Sequence, residues 1–349
     1  MKPAVYITRS AAALPNAPVE NDAVEAILGQ VGERPSRARR VVQRNNGIRR
    51  RYYAVDPATG EPSHSNAALT AQAIRGLAGN GFALEDIACL ACGTSNADQL
   101  LPNHAVMVHG ELGSPACEVV ATAGVCLSGT TALKYGWMSV LSGCSRNAVV
   151  TGSEVASKVL RAKNYDQAEL TFEEDFLRWM LSDGAGALLL EPAPRRGLNL
   201  RIEWLELLSY ANQLPTCMSM GADQRLRQDV RLLNEAVVEY TLVKPLQRVV
   251  AKRSLSADKV DWFLPHMSSE YFRRPVAEGL ARAGLPVPQE RWFTNLVSVG
   301  NIGAAAIYLM LDELLRSGRI RSGQRLLCFV PESGRFSSGF MYLTAHAHA

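Results

Sequence analysis

Residues 118–133 decide the fold prediction for this chain: Glu118-Val-Val-Ala-Thr-Ala-Gly-Val-Cys-Leu-Ser-Gly-Thr-Thr-Ala-Leu133. Apolar residues 119–121 are typical of the end of a buried strand, and residues 130–140 have helical character. Cys126 therefore falls at a tight strand-to-helix junction, where unpaired amides and the positive end of the helix dipole meet. We expect this position to lower the pKa of the thiol and to favour the nucleophilic thiolate. A buried structural cysteine is the alternative, because most cysteines are structural.

The composition of the chain limits the class of protein. Its 349 residues are 47% hydrophobic with a net charge of +4, which suits one large domain or two medium ones. No run of eighteen apolar residues occurs, so no membrane span is expected. Residues 1–8 lack the pattern of a signal peptide, and the seven cysteines are scattered, which favours a reduced, cytoplasmic location. Cys89 and Cys92 lie in an apolar strand without partners at zinc spacing, so core packing is expected.

Basic residues are concentrated in one early segment. The segment contains Arg37, Arg39, Arg40, Arg44, Arg49, Arg50 and Arg51. Such a cluster is compatible with binding of nucleic acid, with docking of an acidic carrier protein or a phosphate-bearing thioester, and with a plain solvated surface.

Predicted strands and helices alternate along the chain. In the first half we expect strands at 5–8, 87–92, 119–121, 147–152 and 186–190 and helices at 21–28, 65–77, 103–112, 130–140 and 172–181. After a linker-like segment at 191–197, we expect strands at 202–208, 260–264, 325–330 and 339–344 and helices at 226–252 and 304–317. Two α/β halves of similar size, residues 1–192 and 193–349, predict a duplicated, layered fold. Residues 209–224 are expected to form a loop over a pocket, and residues 345–349 a frayed tail.

Two further polar residues stand at positions suited to a site. His266 follows a predicted strand and precedes a helix, and ligand sites in α/β sheets lie at the carboxyl ends of strands. Asn301 lies in a segment of glycines and alanines just before a helix, where an ordinary helix cap is the alternative role. A cysteine, a histidine and an asparagine suit acyl transfer with charge stabilisation on a second substrate. A hydrolase with a Cys-His-Asn triad uses the same three residue types.

Several motifs, spread in order along almost the whole chain, resemble those of the thiolase-fold condensing enzymes. Among these enzymes, the motifs are most similar to those of the ketoacyl-ACP synthase III group. They are Asn46-Gly-Ile-Arg49, Cys126 before a helix, Ser182-Asp-Gly-Ala-Gly186, Pro265-His266, Gly300-Asn301, and Ser333-Gly334 before the final strand. The resemblance implies a homodimer and an αβαβα layered sandwich of two pseudo-repeated halves. It departs from the common pattern after the histidine, where Met267-Ser268-Ser269 stands for Gln-Ala-Asn, and at Tyr271, where a basic residue is usual.

The resemblance also implies roles for individual residues. Cys126 would accept the acyl group, and His266 and Asn301 would stabilise the enolate of the second substrate. The amides of Cys126 and Gly334 would form the oxyanion hole. Arg49, Arg273 and Arg274 are the expected docking residues for an acyl carrier protein or acyl-CoA. No metal or cofactor beyond phosphopantetheine-linked substrates, and no nucleic acid, is expected.

A narrower resemblance is to the dialkylresorcinol-forming ketosynthases (DarB-like). It rests on Arg44-Asn-Asn-Gly-Ile48, Cys92-Gly-Thr-Ser95, Asp98-Gln-Leu-Leu-Pro102, Val108-His-Gly-Glu-Leu112, Ala132-Leu-Lys-Tyr135 and Trp179-Met-Leu-Ser-Asp183, with Tyr52-Tyr53. Those enzymes join a 3-oxoacyl and a 2-enoyl thioester into a 1,3-cyclohexanedione, which a separate aromatase then oxidises. Three other interpretations remain open: a decarboxylative synthase using malonyl-ACP, an acyltransferase on the same fold, and a catalytically silent subunit.

Two acyl chains need apolar channels, and the sequence offers candidates to line them. These are Leu100, Leu101, Met107, Met218 and Met220, for which core or dimer packing is the alternative. Leu101, before Pro102, falls where the family places a residue reaching toward the partner subunit's acyl pocket. Glu154 is a candidate second base near the pocket, with helix capping or a dimer contact as the alternatives.

Overall fold

A computed structural model describes residues 3–36, 38–165, 170–221 and 223–349. The strands are β1 (Tyr6–Ala13), β2 (Val19–Glu20), β3 (Arg50–Arg51), β4 (Cys89–Thr94), β5 (Glu118–Ala123), β6 (Ala148–Glu154), β7 (Gly184–Glu191), β8 (Gly197–Ser209), β9 (Met218–Met220), β10 (Leu226–Gln228), β11 (Trp262–Pro265), β12 (Arg325–Glu332) and β13 (Ser337–His348). The helices are α1 (Val24–Leu28), α2 (Arg39–Asn46), α3 (Asn66–Arg75), α4 (His104–Leu112), α5 (Leu127–Leu141), α6 (Ser157–Leu160), α7 (Phe172–Arg178), α8 (Val230–Val238), α9 (Lys244–Arg253), α10 (Arg273–Arg282), α11 (Leu296–Val299) and α12 (Ala306–Arg316).

One large sheet organises the described residues, in the order β11-β12-β13-β8-β1-β7-β6-β4-β5. Its middle is narrow, because β1 and β8 pair only through Tyr6 with Arg201 and Ile7 with Leu200. The two sides share one connectivity. On one side, β1 pairs antiparallel with β7, β7 pairs antiparallel with β6, and β6 pairs parallel with β4. On the other side, β8 pairs antiparallel with β13, β13 pairs antiparallel with β12, and β12 pairs parallel with β11.

Helices divide the two sides of the sheet into layers. α3 and α4 cover one face of the first half, and α5 and α12 cover its other face. α5 also contacts β12 and β13, so this helix pair lies between the two half-sheets. Residues of α8, α9 and α10 pack on the outer face of the second half. These contacts confirm the predicted αβαβα sandwich with two similar halves. The exact boundary near residue 192 stays a prediction.

Local sequence explains the elements that carry the site. All six residues of β4 are buried, as its apolar run predicts, and Cys89 and Cys92 pack in the core. Ser65 accepts a hydrogen bond from the amide of Ala68 and so begins α3 where the pattern predicted. α5 begins at Leu127, directly after Cys126, somewhat earlier than predicted. No helix in the described part of the chain is long and apolar enough to cross a bilayer.

Two predictions about the second half are wrong. The expected helix at 226–252 begins with a strand, because β10 pairs with β9 and Asp229 then caps α8 at the amide of Leu232. Its middle, Glu239–Val243, is a π-helical turn rather than α-helix. The expected frayed tail continues β13 instead, pairing with β8 as far as His348 opposite Gly197.

Close packing between the halves makes Gly152, in β6, a sensitive position. A Cβ atom there would lie 2.2 Å from the carbonyl oxygen of Ala304, which belongs to the backbone and cannot rotate away. We expect Gly152→Ala to lower the free energy of unfolding by about 3 kcal/mol. Gly110→Ala is the matched control, because its Cβ would meet nothing within 4 Å in helix α4, and it should be neutral or stabilising by up to about 1 kcal/mol. Urea denaturation of both variants checks the difference, and equal stabilities would contradict it.

Candidate active site

Cys126 occupies the N-cap position of α5, three residues after β5 ends. Its side chain is half-buried and lines two cavities, and the flanking Ser128 and Gly129 are fully buried. The predicted strand-to-helix junction at the cysteine is therefore present.

The electrostatic surroundings of Cys126 differ from the prediction. Burial raises the pKa of its thiol, and the carboxylates of Glu332 and Glu154 raise it further. The start of the helix offsets this rise only in part, because the amides of Val125 and Leu127 already have a partner. A single oxygen of Glu332 accepts hydrogen bonds from the amides of Val125 (2.9 Å) and Leu127 (3.0 Å). The expected low thiol pKa is thus wrong, and the group is a neutral thiol near neutral pH.

His266 follows β11 as predicted. Its amide donates to the carbonyl of Phe329 in β12 at 2.8 Å, which fixes its backbone at the strand end. The side chain is 3% exposed, and burial lowers the pKa of the imidazole to about 4. His266 is therefore neutral at pH 7, when one ring nitrogen donates a hydrogen bond and the ring is only a weak base.

Asn301 is fixed by its neighbours on both sides. Its amide donates to the carbonyl of Met180 and its carbonyl accepts from the amide of Ser182. Gly300 allows this approach with a φ of +76°, and a Cβ atom there would lie 2.8 Å from that of Ser182. The side-chain oxygen of Asn301 accepts from the amide of Gly303 at 3.0 Å, although Ile302 and not Asn301 is the N-cap residue of the turn that follows. Its NH₂ group remains available to donate into the cavity that Asn301 lines.

Two cavities meet at Cys126. The larger, of about 370 Å³, is lined by Cys126, Asn301 and Glu154 together with apolar residues that include Met218, Met220 and Leu226. The smaller, of about 50 Å³, is lined by Cys126 and His266 with apolar residues from α8, the π-helical turn and α10. Cys126, Leu233, Ser268 and Ser333 border both. The structure thus gathers the three predicted residues around one branched, mostly apolar space.

Glu154, at the end of β6, is a buried carboxylate in the larger cavity. It is 4% exposed and accepts hydrogen bonds from the amide and hydroxyl of Ser95 (3.2 and 2.5 Å) and from the amide of Ala304 (3.1 Å). Burial raises the pKa of its carboxyl to about 7, although these hydrogen bonds oppose the rise. A carboxyl with this pKa can both accept and return a proton near neutral pH.

The other predicted site residues divide into two groups. Met218 and Met220 line the larger cavity, on β9. Leu100 and Leu101 are 94% and 85% exposed and line neither cavity of this chain, and Met107, within α4, packs against the core. None of these three residues lines either cavity of the single chain, and their role in a substrate pocket stays a prediction.

The predicted docking arginines also differ from one another. Arg273 pairs with Glu270 at 2.6 Å and lies over the ring of Trp292, and Arg274 pairs with Glu278 at 2.7 Å. Arg49 is exposed and forms no ion pair with any described residue.

Glu332 is the functional candidate that the sequence analysis missed. A role was predicted for the amide of Gly334 and none for Glu332. Its contacts with Val125 and Leu127 bridge more than 200 residues. The only signal in the sequence is that Glu332 follows Pro331 at the end of an apolar strand.

Comparison with known proteins is consistent with this site. Residues 250–342 match the family profile described as 3-Oxoacyl-[acyl-carrier-protein (ACP)] synthase III C terminal. The chain is 28% identical over 302 residues to a beta-ketoacyl-[acyl-carrier-protein] synthase III of Rhizorhabdus wittichii, covering 86% of this chain and 88% of the relative. It is 28% identical over 336 residues to the enzyme of that name from Sphingopyxis alaskensis, covering 94% of each.

Solved structures show the same fold. AbyA1, a tetronic acid condensing enzyme, superposes with a TM-score of 0.83 at 23% identity over 97% of this chain and 99% of that one. OleA of Xanthomonas campestris, solved with lauric acid and lauroyl-CoA, gives 0.79 at 20% identity over 99% and 100%. The synthase III of Aquifex aeolicus gives 0.78 at 19% over 98% and 99%. By these likenesses the chain is similar over most of its length to ketoacyl-[acyl-carrier-protein] synthase III enzymes, and its fold is the thiolase-like fold of their solved structures.

Proposed function

We propose that this enzyme condenses a 3-oxoacyl and a 2-enoyl fatty thioester, through an acyl group on Cys126, into a 1,3-cyclohexanedione precursor of dialkylresorcinols. The carrying observation is the pair of apolar cavities that meet at Cys126, one bordered by His266 and the other by Asn301 and Glu154. A condensation of two alkyl chains needs separate space for each chain beside the nucleophile. OleA, solved with a fatty acid and its CoA ester, has the same fold.

In this scheme, the 2-enoyl thioester is the substrate that acylates Cys126. The thiol attacks the thioester carbonyl, the bond to the carrier breaks, and the thiol proton leaves with the carrier sulfur. The acyl oxygen is held by the amides of Cys126 and Gly334. Among the described residues neither amide donates to another residue, which leaves both available.

The ring then forms in two bond-making steps. Glu154 removes a proton from C2 of the 3-oxoacyl chain, whose carbanion is shared by two carbonyl groups. C2 adds to C3 of the enoyl chain, and the proton returns to C2 of that chain. Loss of a proton from C4 of the 3-oxoacyl chain then lets C4 attack the thioester on Cys126, which closes the ring and releases the thiol. Hydrolysis of the remaining thioester leaves a β-keto acid, which loses carbon dioxide.

His266 and Asn301 act as hydrogen-bond donors in this scheme. Neutral His266 and the NH₂ group of Asn301 stabilise the negative oxygen of the enolate. The imidazole pKa of about 4 makes His266 a poorer base at pH 7 than Glu154, whose pKa is about 7. We therefore assign the proton removal to Glu154 rather than to the histidine. No cofactor enters the scheme, and the substrates arrive as ACP or CoA thioesters.

Partners and assembly follow from the same proposal. We propose a homodimer, a cytoplasmic location, a carrier that docks near the exposed Arg49, and a separate aromatase that acts on the ring. Two uncovered leucines, Leu100 and Leu101, support the dimer, because large apolar side chains this exposed favour a protein contact.

Product analysis tests the proposed reaction. Purified enzyme is incubated with a 3-oxoacyl and a 2-enoyl thioester, and protein and products are examined by mass spectrometry. We expect an enoyl adduct on Cys126 and a cyclohexanedione with the summed carbon count less one. A Cys126 adduct without a ring would contradict the proposal.

The main alternative is a decarboxylative synthase that uses malonyl-ACP, as the names of the curated relatives suggest. The same experiment with malonyl-ACP separates the two functions, because that reaction releases carbon dioxide and gives an open 3-oxoacyl chain. An acyltransferase, which needs no carbanion, would instead retain activity in Asn301→Ala.

A further inference from the structure

Glu332 holds the backbone on both sides of the nucleophile. It is the last residue of β12, and its half-buried carboxylate reaches the junction between β5 and α5. One oxygen, Oε2, accepts from the amides of Val125 and Leu127 at 2.9 and 3.0 Å. The residue between them is Cys126. Two hydrogen bonds to one charged acceptor fix the peptide units on either side of the one that carries the Cys126 amide.

This arrangement leaves the amide of Cys126 free. The first amides of a helix ordinarily compete for any nearby anion. Here Glu332 occupies the amides before and after the cysteine, while the amide of Cys126 donates to no other described residue. The amide of Cys126, which the proposed acyl oxygen requires, is thus not used by Glu332.

Close packing keeps the two segments together. A Cβ atom on Gly124 would lie 3.3 Å from Oε2 of Glu332, and one on Gly334 would lie 2.9 Å from Cγ2 of Val125. The junction and the turn after β12 therefore touch through glycines, which lets the carboxylate reach the amides.

The charge of Glu332 also acts on the thiol. The titratable groups that face Cys126 are Glu332 from β12, Glu154 from β6 and His266 after β11. The histidine is neutral at pH 7. The two carboxylates disfavour a negative sulfur, and nothing on the described elements supplies a compensating cation beside it.

We propose that Glu332 is a positioning residue for Cys126: its carboxylate holds the flanking amides so that the cysteine amide can receive the acyl oxygen. This rests on the proposed role of Cys126 as acyl acceptor, but the charge effect can be measured without an acyl substrate.

The test compares Glu332→Gln with Glu332→Ala. The glutamine oxygen can still accept from both amides, so that variant removes the charge and keeps the contacts, whereas alanine removes both. The alkylation rate of Cys126 by iodoacetamide is measured by peptide mass spectrometry between pH 6 and 9.5. We expect Glu332→Gln to react about tenfold faster than wild type at a given pH, equivalent to one unit in the pKa of the thiol. Glu278→Gln, a surface carboxylate paired with Arg274, should leave the rate unchanged.

Acylation supplies the second readout, with 2-octenoyl-CoA as the probe. We expect Glu332→Gln to acylate at least as fast as wild type and Glu332→Ala at least tenfold more slowly, although both lack the charge. Equal alkylation of Glu332→Gln and wild type across the pH range would overturn the charge effect. Undiminished acylation of Glu332→Ala would overturn the positioning role. Absence of acylation in wild type itself would count against Cys126 as acyl acceptor, while the alkylation result still decides the charge effect.

Discussion

Replacing Cys126 by alanine is expected to remove both the acyl adduct and all condensation, with turnover falling at least about 10⁴-fold. The sulfur of Cys126 is the only thiol among the described residues that borders these two cavities, one of which is lined by His266 and the other by Asn301. Neither of those residues can replace it, because a neutral imidazole and an amide serve as donors here. Intact-protein mass spectrometry after incubation with a 2-enoyl thioester checks the adduct, and product chromatography checks turnover.

Cys144→Ala is the matched control for this experiment. Cys144 is exposed and lies beyond the C-terminal end of α5, away from both cavities. That variant should keep the wild-type adduct and turnover. An adduct that persists in Cys126→Ala would contradict the assignment, and the absence of any adduct in wild type would favour a catalytically silent subunit.

Local patterns predicted the elements that build this site. The apolar run of β4, the serine cap of α3 and the small residues around Cys126 each act within a few residues, so they can be read from the sequence. The same holds for His266 and Asn301, which stand directly after or before a predicted element. The resemblance to condensing enzymes then connected these three residues.

Predictions failed where distant partners decide the outcome. Residues 226–228 have the composition of a helix, but pairing with β9 makes them a strand. The alternating alanines and histidines at the C-terminus are not typical of a strand. The long strand β8 nevertheless pairs with them as far as His348. The thiol pKa was predicted from the unpaired amides and the dipole at the helix N-terminus, whereas burial and then the carboxylates of Glu332 and Glu154, both distant in sequence, raise it.

The raised pKa of Glu154 leads to the second large effect. Glu154→Gln is expected to lower condensation by about 10²–10³-fold while acylation of Cys126 continues. Glutamine preserves the network, because its oxygen can accept from the amides of Ser95 and Ala304 while its NH₂ group donates to the serine hydroxyl. The loss would therefore report the proton transfer and not the fold. Single-turnover acylation and steady-state product formation, measured separately, distinguish the two steps.

The pH dependence of this variant gives an independent check. Only ionised Glu154 accepts a proton, so the wild-type condensation rate should rise with pH to a plateau with an apparent pKa near 7. Glu154→Gln should lose that rise.

The contribution of Glu154 to protein stability should fall over the pH range in which the condensation rate rises. The folded carboxyl has a higher pKa than the unfolded one, so folding favours the protonated form. The contribution of Glu154 to the free energy of unfolding is then full below about pH 4.5 and is lost as pH rises to about 7. The free energy of unfolding of Glu154→Gln should decline less steeply over this pH interval.

If Glu154→Gln kept a third or more of the wild-type condensation rate, Glu154 would instead be a cap for the turn at Gly303–Ala305, where it binds the amide of Ala304. The proton would then have to leave by another group, and the neutral His266 would be the remaining candidate despite its low pKa.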